Sequence, residues 1–387
     1  MRSIGVGERR ARLARRHFLA GPARGPVEAT TGVVALHATD PASVFLSVHA
    51  RTTPVDVGTI EHALYDQRSL IRMLGMRRTM FVVPVELAPV IQAACTREIA
   101  TRQRRTYTKL LTERGIGDAA WLRDVEDATA RALAARGQAT GAELSADEPR
   151  LRTQLLVAEG KAYAAKQNIT TWVLFMLAAD GRIVRGRPRG SWTSSQYHWS
   201  PAQTWLGDGI AELPVEDSRV ELVRRWLASF GPGTVADLKW WTGWTAGQVK
   251  HALAEIGPVE VDLDGQAGLV LADDVEPSGP SGHWIALLPA LDPTAMGWSQ
   301  RSWYLGAHAP ALFDRSGNIG PTVWSDGRII GGWAQRSTGE VVHRLLEDVG
   351  SDVPAEVEHK TEELAEWIGA VRVTPRFRTP LERELSA

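Results

Sequence analysis

The stretch VVALHATDP at 33–41 sets His37 and Thr39 two residues apart, with Asp40 and Pro41 directly behind them. An imidazole with a reference pKa of about 6.5 can hold a water when neutral, or take a proton from it. A threonine hydroxyl donates and accepts hydrogen bonds but carries no charge. Asp40 can supply that charge. It can equally cap a helix that begins near Ala42 with Pro41 in its first position.

A second group of candidates is cationic. RMLGMRRTMFVVP carries Arg77, Arg78 and Thr79. Residues 97–114 hold six Arg or Lys against two Glu, among them Arg102, Arg104 and Arg105. RIVRGRPR at 182–189 holds Arg182, Arg185, Arg187 and Arg189 with no acid, and Gln196 follows in SSQYHW. Such runs can follow a phosphate backbone without reading sequence. They can also be ordinary solvated faces.

Other classes of function drop out. The net charge of -1 over 387 residues is not that of a bulk polyanion binder. One cysteine, Cys95, excludes a disulfide framework and a cysteine-rich metal site, and fits a reducing compartment. The histidines are scattered and match no zinc signature. GVG, GPARG and GPGT match neither a phosphate loop nor a dinucleotide fingerprint, so no cofactor or metal is expected. No apolar run reaches the roughly 18–20 residues of a membrane span, and the basic N-terminus lacks the apolar core of a secretory signal. The expected setting is cytoplasmic, near the nucleoid.

The elements that position these residues read most clearly at 217–274. DSRVELVRRWLASF has helical apolar spacing. VADLKWW follows Thr234, AGQVKHALAEIG follows Thr245 and stops at Gly257, and VEVDLDGQAGLVLADD gives two strands turning at Asp264–Gly265. Three helices and a hairpin is the winged-helix order. Trp226, Trp240, Trp241 and Trp244 read as core. A less regular copy is expected at 120–189, with RLRTQLLVAEGKAYAAKQNITTWVLFMLAADG as one or two helices. Another opens the chain, with PASVFLSVHART, PVDVGTIEHALYD and RSLIRMLGMR as helices and TMFVVP as a strand. From 283 onward strands and hairpins are expected, with turns or bends at Gly327 and Gly331–Gly332, then a helix, a strand and a tail.

Four segments carry a resemblance over nearly the whole chain: the LHATDP region, RMLGMRRTMFVVP, the helices and hairpin at 217–274, and LLPALDPTAMGW followed by SDGRIIGGW. In their order they resemble the helix-turn-helix 42 family, which includes the AlkZ-type and YcaQ-type DNA glycosylases. The resemblance implies an α+β protein of three tandem winged helices in a C-shape around duplex DNA. The units would be 1–115, 116–205 and 206–280, with a small β-rich region at 281–387. It further implies a monomer that binds double-stranded, damaged or distorted DNA and releases N7-alkylated or bulky-adducted purines. The family's catalytic signature is Gln, an apolar residue, then Gln or Asp. Here His37, Ala38 and Thr39 take those places, so neither signature side chain is present. The alternative is a winged-helix DNA-binding or regulatory protein that has lost the catalytic pair.

Overall fold

The computed structural model describes residues 1–52, 54–157 and 165–387. The segment 215–270 folds as its local chemistry dictates. Helix Val215–Phe230 is followed by helix Val235–Thr242. At the start of the latter the Thr234 hydroxyl accepts from the Asp237 N–H, and the Asp237 carboxylate accepts in return from the Thr234 N–H. Thr245 and Gln248 repeat this reciprocal cap on helix Ala246–Ile256, which ends at Gly257 in the left-handed region. Each cap supplies partners for N–H groups that a helix cannot pair internally. Strands Val259–Leu263 and Gln266–Val270 form the expected hairpin. Strand Arg2–Ser3 adds to it in parallel, a partner the sequence did not suggest.

The unit that carries His37 runs from helix Pro26–Gly32 through strand Leu36–His37, helix Pro41–His49 and helix Val57–Glu61 to strands Leu70–Leu74 and Met80–Pro84. Its sheet places 80–84 in the centre, with 36–37 and 70–74 on either side. RSLIRMLGMR is therefore not a helix. All five residues of Leu70–Leu74 are buried, so the strand shows no polar alternation and reads like a buried helix segment.

In the next unit, helices Ala119–Arg136, Gly141–Asp147 and Thr170–Ala179 precede antiparallel strands Ile183–Pro188 and Tyr197–Pro201. Of the stretch from Arg150 expected to hold one or two helices, Thr170–Ala179 is a helix, Gln154–Val157 and Ala165–Asn168 are instead antiparallel strands, and 158–164 lie outside the described residues. Helix Arg97–Glu113 joins this unit to the first. Its Tyr107 ring stacks on Trp172 with centroids 4.3 Å apart.

Beyond 283, strands Ile285–Leu288, Thr322–Ser325, Arg328–Gln335 and Val341–Leu345 form one antiparallel sheet. Gly327 makes the expected turn, but Gly331 and Gly332 lie within a strand. An added Cβ would meet the Arg344 carbonyl oxygen at 2.2 Å or the Pro321 carbonyl oxygen at 3.0 Å, so close backbone approach explains both glycines. Helix Val353–Ile368 packs on the sheet, residues 370–379 are irregular rather than a strand, and helix Pro380–Leu385 follows.

The sheet shares one core with the His37 unit and the 215–270 unit. A fully buried pair, Arg51 and Asp292 at 2.7 Å, joins two of them. Ser47 and Thr294 add further hydrogen bonds to it, and Thr294 also meets His17 Nδ1 at 2.9 Å. No described helix is long and apolar enough to cross a membrane.

Candidate functional site

His37 ends the short strand at the edge of its sheet, paired with Phe81, whose ring centroid lies 5.3 Å from the imidazole. It is only 6% exposed. Among the described residues neither ring nitrogen has a hydrogen-bond partner, and Nδ1 is sealed from solvent. Burial, helped by the nearby Arg77 guanidinium, pushes its pKa down to about 3, so the ring is neutral at ordinary pH. The Thr39 hydroxyl is likewise enclosed and unpaired. Buried polar atoms are seldom left so, because each costs about 1–3 kcal/mol.

The turn that presents these two side chains is held from three directions. Asp40 Oδ1 accepts from the Ala42 N–H at 3.1 Å, the cap of helix Pro41–His49. Asp40 Oδ2 accepts from the Arg376 N–H at 2.9 Å. Both carboxylate oxygens thus serve backbone groups, while burial pushes the Asp40 pKa upward. Arg72 donates through Nη1 to the Ala38 carbonyl at 2.7 Å, between the two candidate side chains.

The cationic candidates divide into several environments. Arg77 and Arg78 both adopt left-handed backbone, with φ of 53° and 60°. Arg77 lies 4.1 Å over the Trp240 ring and Arg301 lies 4.6 Å from the same ring. Burial and Arg301 lower the Arg77 pKa to about 10. Thr79 is half-buried, its hydroxyl 3.4 Å from the Arg77 carbonyl. Arg77, Arg78 and Arg102 share a cavity of about 340 Å³ with Glu98 and Trp244. Arg104 and Arg105 face a different groove of about 830 Å³, on the other side of helix Arg97–Glu113. There Arg104 is already paired with Glu126 and Asp180. The larger groove does not include His37, and its size alone does not make it the reactive site.

The basic strand is less free than its sequence suggests. Arg182 pairs with Asp127 at 2.8 Å, and Arg187 pairs with Glu61 and Asp66. Arg185 points inward, 4.7 Å from the Trp199 ring. Arg189 and Gln196 remain exposed at the hairpin end, joined through their backbones.

Sequence reasoning missed Arg72, Arg301 and Arg376, and counted Trp240 as core. Trp226, Trp241 and Trp244 are buried, but Trp240 is half-buried between two guanidinium groups. No local signal distinguishes it. Arg376 is exposed, and its guanidinium lies 3.4 Å from the Thr39 carbonyl. Only the fold brings it there.

The whole architecture is similar to that of the Streptomyces sahachiroi DNA glycosylase AlkZ. The TM-score is 0.73 at 19% identity, covering 97% of this chain and 99% of that one. No curated protein sequence matches the chain. The family model described as DNA glycosylase AlkZ-like matches residues 30–367, a span that contains the His37 turn, the cationic clusters and most of the C-terminal sheet region. The chain therefore belongs to the AlkZ-like DNA glycosylase family.

Proposed function

We propose that this protein is a monofunctional DNA glycosylase that hydrolyses the N-glycosidic bond of N7-alkylated or bulky-adducted purines in duplex DNA. Its helix–hairpin units act as three winged helices arranged around the duplex. The observation that carries this reading is the His37–Thr39 turn. It presents two side chains with unmet hydrogen-bonding capacity, fixed by Arg72, Asp40 and Arg376.

An N7-alkylpurine is cationic, so its bond to the sugar is already weakened. The electron pair of that bond leaves with the base, which departs neutral, and a water oxygen forms the new bond to C1'. The water gives up its proton to solvent, while His37, with a pKa of about 3, accepts a hydrogen bond from it and stays neutral. A neutral imidazole suits this task, whereas an imidazolium would oppose the positive charge growing on the sugar. With Nδ1 sealed, the Nε2 edge is the one left to meet the water. Thr39 supplies a second hydrogen bond. Asp40 contributes negative charge and the shape of the turn. Extrusion of the nucleotide from the stack brings C1' to this turn. Arg77, Arg78, Thr79, Arg102, Arg105, Arg189 and Gln196 contact the backbone as the duplex lies across them, and they bind without reading sequence.

The low exposure of His37 favours a second reading, a winged-helix protein that binds distorted DNA without releasing a base. The two separate in a base-excision assay on duplex DNA containing N7-methylguanine, with wild type, His37→Ala and Thr39→Ala. The expected result is release by wild type that falls about a hundredfold in His37→Ala. Tight, salt-sensitive binding without release would overturn the enzymatic reading.

A further inference from the structure

Behind the His37 turn, strands Leu70–Leu74 and Ile183–Pro188 bring two arginines together with two tyrosines. The Arg72 guanidinium lies 5.0 Å from the Tyr197 ring. Its Nη1 is used on the Ala38 carbonyl, while Nη2 is sealed and unpaired. The Tyr65 hydroxyl lies beside Arg72 yet makes no hydrogen bond of good geometry, and the Tyr197 hydroxyl is also enclosed and unpaired. Arg185 completes the group. Among the described residues its only side-chain hydrogen bond is to Met80 Sδ, at 3.0 Å. Among the described residues, neither Arg72 nor Arg185 forms an ion pair.

The surrounding acids are already engaged. Asp40, whose carboxylate feels the Arg72 charge, serves two backbone N–H groups. Glu61 and Asp66 are paired with Arg187, which lies 5.0 Å from the Tyr65 ring. Two guanidinium groups that repel each other in a poorly solvated place, with no anion between them, are costly. Arg72 Nη2 and the free N–H groups of Arg185 are donors only, and the two phenols can each donate as well. That set matches an anion with several acceptor oxygens, held by charge-assisted bonds. It matches a purine edge poorly, because a base offers donors as well as acceptors. Arg185 and Tyr197 are half-buried and form the edge of the group toward solvent, with the Tyr197 hydroxyl and Arg72 Nη2 enclosed behind that edge.

We propose that Arg72, Arg185, Tyr65 and Tyr197 bind one phosphodiester of the strand that carries the lesion. The proposal rests on the DNA-binding part of the reading above, but not on base release. Arg72 then holds the phosphate with one arm and the Ala38 carbonyl with the other. Recognition of the backbone and the shape of the His37–Thr39 turn are joined through one guanidinium.

The test uses Tyr197→Phe, which removes an unpaired hydroxyl, and Arg185→Gln. Arg72 variants are avoided because they also release Ala38. First, inorganic phosphate is compared with chloride at equal ionic strength by thermal shift. Its affinity is expected to fall about tenfold in Tyr197→Phe, the loss of one charge-assisted hydrogen bond. Second, single neutral methylphosphonate linkages are scanned along a duplex with an abasic-site analogue. One linkage is expected to weaken wild-type binding about tenfold and to have little further effect in Arg185→Gln. Phosphate binding without a coupled linkage would assign the site to a free anion and overturn the DNA contact. Equal phosphate affinity in wild type and both variants would overturn the pocket itself. Loss of base release alone leaves both readouts intact and bears only on the catalytic reading.

Discussion

At the scale of the residue, His37 and Thr39 are defined more by what they lack than by what they touch. Thr39→Val keeps the shape of the side chain and removes an enclosed, unpaired hydroxyl. We expect stability to hold or rise by about 1 kcal/mol, while release of N7-methylguanine falls. A urea melt and a single-turnover assay on the same preparation check both halves, and unchanged release would remove Thr39 from the site. His37 makes a pH prediction. Its folded-state pKa of about 3 lies below the ordinary value of 6.5, so between those values the unfolded chain binds more protons. The associated stability is present above about pH 6.5 and is lost as pH falls toward 3. His17, pushed to about 3, and His49, pushed to about 4, act in the same window. Denaturation followed from about pH 7.5 to 5 should show a shallower loss of stability in His37→Gln than in wild type. Base release should lack an inflection near pH 6.5, because the ring is neutral on both sides of it. Proximity to Arg77 reinforces that neutrality.

At the scale of the element, the legible parts of the sequence were those whose chemistry is local. Asp40 caps its helix from the adjacent position, and Thr234–Asp237 and Thr245–Gln248 close their caps within four residues. Strand Leu70–Leu74 was not legible, because burial on both faces erased the pattern that separates strand from helix. Nor was the state of the basic strand. Arg182 finds Asp127, and Arg187 finds Glu61 and Asp66, from other elements. Arg376 reaches the turn from 336 positions away, beyond any spacing argument. The cap itself is testable. Asp40→Ala should destabilise the protein by about 1–2 kcal/mol through the lost cap. It should also lower activity further than stability alone explains, because the Arg376 link goes with it. Retention of full base release in the folded variant would show that the turn does not need this anchor.

At the scale of the whole molecule, two features decide how the units act together. The buried Arg51–Asp292 pair links the His37 unit to the turn that follows the first strand of the C-terminal sheet, and Ser47 and Thr294 add hydrogen bonds to both partners, leaving only Arg51 Nε unpaired. Removing one partner leaves a buried charge. Asp292→Ala is therefore expected to cost about 3–5 kcal/mol, read as a lower denaturation midpoint. The distribution of free charge sets the second expectation. Arg189→Ala should reduce the salt slope of duplex binding by about one counterion. Arg182→Ala should change it little, because Asp127 already neutralises that cation. Equal slopes for both variants and wild type would place the duplex elsewhere on the surface.

The bond from the Arg376 N–H to Asp40 also orders events in time. During synthesis, the helix–hairpin units can bury their cores before residue 376 exists. The turn that presents His37 and Thr39 has one of its anchors missing throughout that interval. A growing chain of this protein is thus a folded body with an unfinished site. The turn gains its last anchor only after the segment bearing Arg376 has been made and has closed onto the first unit.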